Sequence, residues 1–134
     1  MAKFGVLTAT LWFSEYDKMK SINRNVIIVK PSEPFLAWLQ SLPVPPENLT
    51  LDELRRDSLC LLLPESDSQE AATGLVSKHY KKIFESELMA WHTVKRDWPK
   101  KRTLAKFREW FELEFHSEVI DLTDMPIEKE DYLV

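Results

Sequence analysis

The chain has 134 residues, 44% of them apolar and 30% charged, and a formal net charge of −4. This length fits one domain, and the apolar content argues against global disorder. No window approaches the roughly 18 to 20 apolar residues of a transmembrane helix, so we expect no membrane partner. Two glycines in the whole chain leave little material for a glycine-rich phosphate loop.

The apolar stretch near the N-terminus, residues 4–13, stands apart from the rest of the chain. Lys3 precedes it and no small-residue cleavage site follows it, so the pattern is not typical of a signal peptide. Regular structure resumes at residues 23–26. Residues 1–20 are therefore interpreted as an N-terminal extension, an upstream start or an extra edge strand, and the sequence leaves these alternatives open.

The first predicted strand is a continuous β-branched run at residues 26–29 that ends before Pro31. Continuous apolarity predicts a strand buried on both faces, as in a parallel sheet. A helix follows, because Ser32 can cap it, Glu33 suits its positive end and Pro34 is tolerated in its first turn.

The second predicted strand is Leu-Cys-Leu-Leu-Leu at residues 59–63, which Pro64 ends. A short helix precedes it, since Thr50 and Glu53 match a capping box. Cys60 is the only cysteine, so no internal disulfide can form and we expect the reducing cytoplasm. We interpret Cys60 as a small buried apolar residue, because a reactive thiolate needs a polar setting.

The second half of the chain predicts a long helix, a shorter helix and a third strand. Ser66 and Gln69 form another capping box, and apolar residues recur at helical spacing over residues 72–91. Thr103 can cap the shorter helix. Its apolar side would consist of Leu104, Phe107, Trp110, Phe111 and Phe115. Residues 119–122 predict the third strand.

These elements alternate in the order β-α-α-β-α-α-β. Such an order favours an α/β domain (or an α+β domain) with a small, largely parallel sheet of three or four strands and helices packed on it. The single domain is predicted at residues 21–123, and residues 124–134 form an acidic C-terminal tail. The N-terminal stretch would add an edge strand.

No motif in the chain carries a specific chemistry. Its three histidines lack the spacing of a zinc site, and no phosphate-binding or dinucleotide fingerprint occurs. We therefore assign no catalytic, cofactor-binding or metal-binding residue. In a parallel sheet Lys30, Glu65 and Asp124 would meet at the carboxyl edge, where enzyme sites of open α/β sheets lie. His116 is predicted at the end of the last helix.

The most informative segment is residues 78–108, whose ten basic and three acidic residues give a formal charge of +7, against −11 for the rest of the chain. An asymmetry of this kind governs association rather than fold. The candidate interaction surface consists of Lys95, Arg96, Trp98, Lys100, Lys101, Arg102 and Lys106.

Three functions are compatible with this pattern. We favour a non-catalytic protein-interaction module whose basic face meets another protein or a second copy of the chain. The alternative is nucleic-acid binding through residues 95–110, with the bases on phosphates and an exposed Trp98 stacked on a nucleobase. A second alternative is a small enzyme with its site at the carboxyl edge of the sheet. Exposure of Trp98 and a concave polar pocket are the observations that separate them.

Overall fold

The computed structural model describes residues 19–132, so the predicted extension or extra strand at residues 1–18 lies outside the described part. The strands are β1 (Lys20–Ser21), β2 (Arg24–Pro31), β3 (Leu59–Pro64), β4 (Phe111–His116) and β5 (Ile120–Asp121). The helices are α1 (Glu33–Gln40), α2 (Leu51–Leu54), α3 (Gln69–Lys78), α4 (Tyr80–Trp91) and α5 (Leu104–Trp110), with a 3-10 turn at Lys95–Asp97.

The main sheet has the order β3-β2-β4, and β2 is antiparallel to both neighbours. Val29 lies opposite Leu59 on one side and opposite Leu113 on the other. The prediction of a largely parallel α/β sheet is therefore wrong, and the fold is a mixed α+β arrangement with two small antiparallel sheets. Antiparallel strands do not bring their carboxyl ends to one edge.

The burial of β2 explains the error. Ile27 and Val29 are fully buried, whereas Val26 and Ile28 on the opposite face are only half-buried. Alternation of this kind belongs to a sheet with one face packed on the core. The β-branched run is apolar on both faces, but only one of them lies in the main core.

Strand β4 replaces the end of a predicted helix. α5 ends at Trp110, and the next six residues pair with β2. Phe111, Leu113 and Phe115 alternate with Glu112, Glu114 and His116, which is the period of two expected of a strand. The helical spacing of the aromatic residues predicts a helix as far as Phe115, and this prediction is wrong from Phe111 onward.

Two other elements differ from the prediction. The third strand, predicted at residues 119–122, is shortened to the two residues of β5. β5 is not in the main sheet but pairs with β1 in the two-stranded sheet, where Ser21 lies opposite Ile120. The long helix is divided at His79 into α3 and α4. The His79 ring nitrogen Nδ1 lies 3.1 Å from the backbone oxygen of Leu75, so the histidine contacts the last turn of α3.

The predicted helix starts are confirmed at two positions. The Thr50 hydroxyl accepts a hydrogen bond from the Glu53 amide at 3.2 Å, and the Thr103 hydroxyl accepts one from the Lys106 amide at 3.1 Å. α3 begins two residues later than predicted, because Ser68 rather than Ser66 caps it.

An aromatic cluster holds the helices on the sheet. The Phe111 ring at the start of β4 lies 5.4 Å from Phe35, 5.4 Å from Phe84 and 5.2 Å from Phe107, centroid to centroid. All four rings are at most 2% exposed. Edge-to-face and tilted aromatic pairs each contribute about 0.5 to 1.5 kcal/mol beyond burial, so this cluster fixes α1, α4 and α5 together.

None of the helices in residues 19–132 combines the length and apolar character needed to cross a bilayer.

Candidate interaction surfaces

The predicted basic surface lies on the connector between α4 and α5. Lys95 and Arg96 in the 3-10 turn are exposed, as are Lys100 and Lys101 beyond it. In residues 19–132, no acidic side chain lies within 4.0 Å of Lys95, Lys100 or Lys101. Lys100 and Lys101 are therefore left to interact with solvent or with a partner.

Trp98 faces the protein interior and not the solvent. It is 6% exposed, and its indole nitrogen donates a 2.7 Å hydrogen bond to the backbone oxygen of His92. The Lys95 ammonium and the Arg102 guanidinium each lie 5.8 Å from the centre of its ring. Trp98 thus anchors the connector through cation–π contacts and cannot stack on a nucleobase.

Further contacts fix the shape of this connector. His92 Nε2 lies 2.8 Å from Asp97 Oδ2, and the Trp38 indole donates to the Asp97 backbone oxygen at 3.1 Å. Arg102 donates to the Pro99 backbone oxygen at 2.8 Å and lies 3.4 Å from Glu85. Arg102 is therefore partly neutralised. Lys106, the last predicted residue, lies over the Trp110 ring at 5.9 Å and is half-buried.

The outer edge of β3 is a second surface, and no motif in the sequence indicates it. This strand pairs only with β2 among residues 19–132. Its residues 59–63 carry no charge, and Leu62 is 50% exposed. Native sheets usually protect a free edge with charges, bulges or a covering segment, so an open and apolar edge is a ready template for another strand.

Cys60 lies on this edge strand and is exposed. The prediction that it is a small buried residue is wrong, because Cys60 lies opposite Ile28 on the face of the sheet away from the main core. The sequence indicated a strand correctly but could not show which face its odd-numbered and even-numbered residues take.

Two apolar grooves run between the β3 edge and the helices. The first, of about 390 Å³, is lined by Leu59, Leu61 and Ile83, with Tyr132 of the C-terminal tail at its border. The second, of about 320 Å³, extends from Leu61 along β3 toward the α3–α4 junction. Leu61, Lys82 and Ile83 contribute to both grooves.

A cationic strip adjoins these grooves. A third depression, of about 420 Å³, is lined by residues 78–82, and Lys82 also lines both apolar grooves. Lys78, Lys81 and Lys82 are exposed. Within the described chain, none of these three lysines has an acidic group within 4.0 Å.

The outer face of β4 carries ion pairs. Glu114 lies 3.1 Å from His116 Nε2 and 3.3 Å from Lys30 Nζ, and Glu112 contacts Arg55. The hydrogen bond from His116, followed by the one from Lys30, holds the pKa of Glu114 below its ordinary value. His116 is thus a strand residue and not a helix end. Only the Lys30–Glu114 pair joins two strands, and all of these pairs lie outside the grooves at the β3 edge.

The three residues predicted to meet at the carboxyl edge of the sheet, Lys30, Glu65 and Asp124, do not come together. Lys30 pairs with Glu114, and Asp124 lies 3.2 Å from Lys20 beside the two-stranded sheet. Glu65 is exposed beyond the end of β3. The antiparallel arrangement separates these three residues, so this basis for an enzyme is removed. Across residues 19–132, no three His, Cys, Asp or Glu side chains come together as a metal site.

One buried carboxyl group remains without an assigned role. Glu87 on α4 is 9% exposed, and burial raises its pKa from the ordinary 4.5 to about 7. Strongly shifted groups occur at functional sites, but structural burial has the same effect. Its position on the helix gave no signal in the sequence, because Glu is a common residue on solvated helix faces.

Comparison with known proteins identifies no relative, since no protein-family model, curated protein or solved structure matches this chain.

Proposed function

We propose that this protein is a non-catalytic protein-interaction module and that its partner adds an extended segment to the edge of β3. The observation that carries the proposal is the uncharged edge at residues 59–63 with an apolar groove along it. Leu62, half exposed on this strand, adds apolar side-chain surface beside the edge.

The edge and the grooves supply different parts of such binding. Backbone N–H and C=O groups of an edge strand give affinity without regard to sequence, while pockets beside it select alternate side chains. The first groove is larger than a single side chain needs, and its wall of Leu59, Leu61 and Ile83 is apolar. The partner's segment would therefore be extended and place large apolar side chains against these residues.

The basic connector has a supporting role in this proposal. Lys95, Arg96, Lys100 and Lys101 are exposed on a connector that Trp98 fixes in place, so their positive field is held in one orientation. A fixed charged patch raises the rate of encounter with an oppositely charged partner more than it raises affinity. Lys106 and Arg102 contribute less, because both are half-buried against aromatic rings.

Nucleic-acid binding is the second candidate, and the unpaired cations of the connector favour it. With Trp98 buried, binding would rest on phosphate contacts alone. It would then be independent of base sequence and steeply dependent on salt. The charge of −11 outside residues 78–108 works against the approach of a polyanion.

We also propose a cytoplasmic setting. The single cysteine is exposed beside the candidate edge, where a reducing compartment would keep it as a thiol. An oxidising compartment would favour intermolecular disulfides at this surface.

Peptide selection combined with hydrogen exchange tests the edge-pairing proposal. A random peptide library is selected against the full chain, and the exchange of the β3 amides is measured with and without the selected peptides. We expect extended, apolar-rich peptides that slow exchange in β3. The Leu62→Lys variant should lose this binding.

The matched control is Leu122→Lys, because Leu122 is 55% exposed and follows β5, away from the edge. This variant should bind the selected peptides as the unmodified chain does. If the outward β3 amides are already fully protected in the free chain, or if no selected peptide changes their exchange, the proposal is wrong.

A further inference from the structure

Resting on the proposed function, we infer that the segment that pairs with β3 is acidic and carries a large aromatic or aliphatic anchor. This chemistry is that of the chain's own C-terminal tail, which occupies the border of the groove in the free protein. A partner would therefore have to displace the tail.

The contact of Tyr132 with α4 shows what the groove accepts. The Ser86 hydroxyl donates a 3.0 Å hydrogen bond to the Tyr132 hydroxyl oxygen, and Tyr132 borders the first groove beside Leu59 and Leu61. Ser86 is 8% exposed, so its hydroxyl is a nearly buried polar group that this contact satisfies. An aromatic ring with a polar tip thus suits an apolar groove that has a hydroxyl at its base.

The tail fills the groove only in part. Tyr132 is 73% exposed, and the groove beside it retains a volume of about 390 Å³. A side chain that leaves most of its surface in water gains little from burial. The tail is therefore a weak occupant that a better-fitting segment can replace.

The lysines beside the grooves indicate that the partner segment carries negative charge. Lys78, Lys81 and Lys82 form a strip beside the grooves, and Lys82 borders all three depressions. The tail has the complementary composition, since Glu130 and Asp131 precede its tyrosine. A segment with acids next to its anchor would place them near these lysines.

A second copy of the chain fits the edge less well. Two β3 strands related by a two-fold axis at Leu61 would set Asp57 of each copy opposite Glu65 of the other, and like charges directly opposite are destabilising. The lysine strips of both copies would also meet at the same seam. A separate peptide is free of this symmetry and can place its acids against the lysines alone.

The test uses a fluorescein-labelled peptide with the sequence of residues 125–134, titrated with the full chain by fluorescence anisotropy. We expect saturable binding that weakens with salt. Replacing the peptide's tyrosine by alanine, or its acids by amides, should weaken binding about tenfold each, equivalent to roughly 1.4 kcal/mol.

Variants of the chain locate the contact. Lys82→Glu should weaken binding about tenfold or more, whereas Lys100→Glu on the basic connector serves as the matched control and should leave it unchanged. Tyr132→Ala should strengthen binding of the added peptide, because it removes the internal competitor. Equal effects of the two lysine variants would place the peptide on the connector and overturn the inference.

The remaining outcomes separate this inference from the proposed function. Failure of the tail peptide to bind, while selected peptides of other composition protect β3, would reject the acidic partner and leave edge pairing intact. A dimer in sedimentation analysis that Leu62→Lys dissociates would identify a second copy as the occupant, which also rejects the inference. If no peptide and no dimer involves β3, both proposals fail.

Discussion

The Trp98 indole nitrogen donates a 2.7 Å hydrogen bond to the backbone oxygen of His92, and this bond closes the connector between α4 and α5. The ring is buried, with Lys95 and Arg102 near it. The residue that a nucleic-acid platform would expose is therefore the one that holds the basic connector to the protein.

Substitution of Trp98 should cost stability. Trp98→Ala should lower the free energy of unfolding by about 3 to 5 kcal/mol, as for other buried aromatic residues. Trp98→Phe should cost roughly 1 to 2 kcal/mol, because it leaves the His92 carbonyl without its partner. Urea denaturation measures both. The control is Trp91→Phe, since Trp91 is 39% exposed, and it should cost less than the change at position 98.

Glu87 should make stability depend on pH. The unfolded carboxyl ionises near pH 4.5 but the folded one near 7, so between these values the unfolded state binds fewer protons and stability falls as pH rises. Above pH 7 the full penalty, roughly 3 kcal/mol, is present. Glu87→Gln should therefore be more stable than the unmodified chain at pH 8 by up to this amount.

Denaturation of both proteins from pH 4 to 8 checks this expectation, and the difference between them should shrink toward pH 4.5. Glu109→Gln, at an exposed position on α5, is the control and should show no such trend. A difference that stays constant with pH would contradict the role of burial at Glu87.

Cys60 should react with a thiol reagent in the native protein, because it is exposed on β3. A chromogenic disulfide reagent should label one thiol per chain without denaturant. The labelling rate should fall when a peptide that pairs with β3 is present. Labelling that requires denaturant would show that the strand edge is covered.

Charge reversal of the connector separates the two candidate functions. In the variant with Lys95, Arg96, Lys100 and Lys101 replaced by Glu, we expect slower association with an acidic protein partner, because steering by the patch is lost. A single-stranded oligonucleotide should bind only weakly to the unmodified chain at physiological salt. Tight binding that this variant abolishes, with a log–log salt slope of about −0.7 per phosphate contact, would instead support nucleic-acid binding.

Local features of the fold could be predicted from the sequence, because their causes are local. Thr50 and Thr103 cap helices through the amides three residues later, and the spacing of these residues is visible in the chain. The two apolar runs around Ile27 and Leu61 are strands, as their composition and flanking prolines indicate. Of the basic residues in the candidate interaction surface, Lys95, Arg96, Lys100 and Lys101 are exposed, whereas Arg102 and Lys106 are half-buried.

Strand pairing could not be predicted, since it depends on residues far apart in the chain. The direction of β4 relative to β2 decides whether Lys30 faces Glu114 or another strand end. The free edge of β3 exists only because β4 takes the other side of β2. The hydrogen bond of Trp98 to His92 likewise has no sequence pattern, so the sequence left the exposure of Trp98 open, and the burial it predicted for Cys60 is wrong.

The central position of β2 also affects how the sheet folds while the chain is being synthesised. One edge of β2 can pair with β3 early in synthesis. The other edge pairs with β4, which is made only after three further helices. Paired residues of β2 and β4 are up to 90 positions apart in the chain, as are Val26 and His116. Contacts of such long separation slow folding because a long loop must close first. A nascent chain would expose the unpaired edge of β2 for this interval, and chaperone dependence should be greatest there.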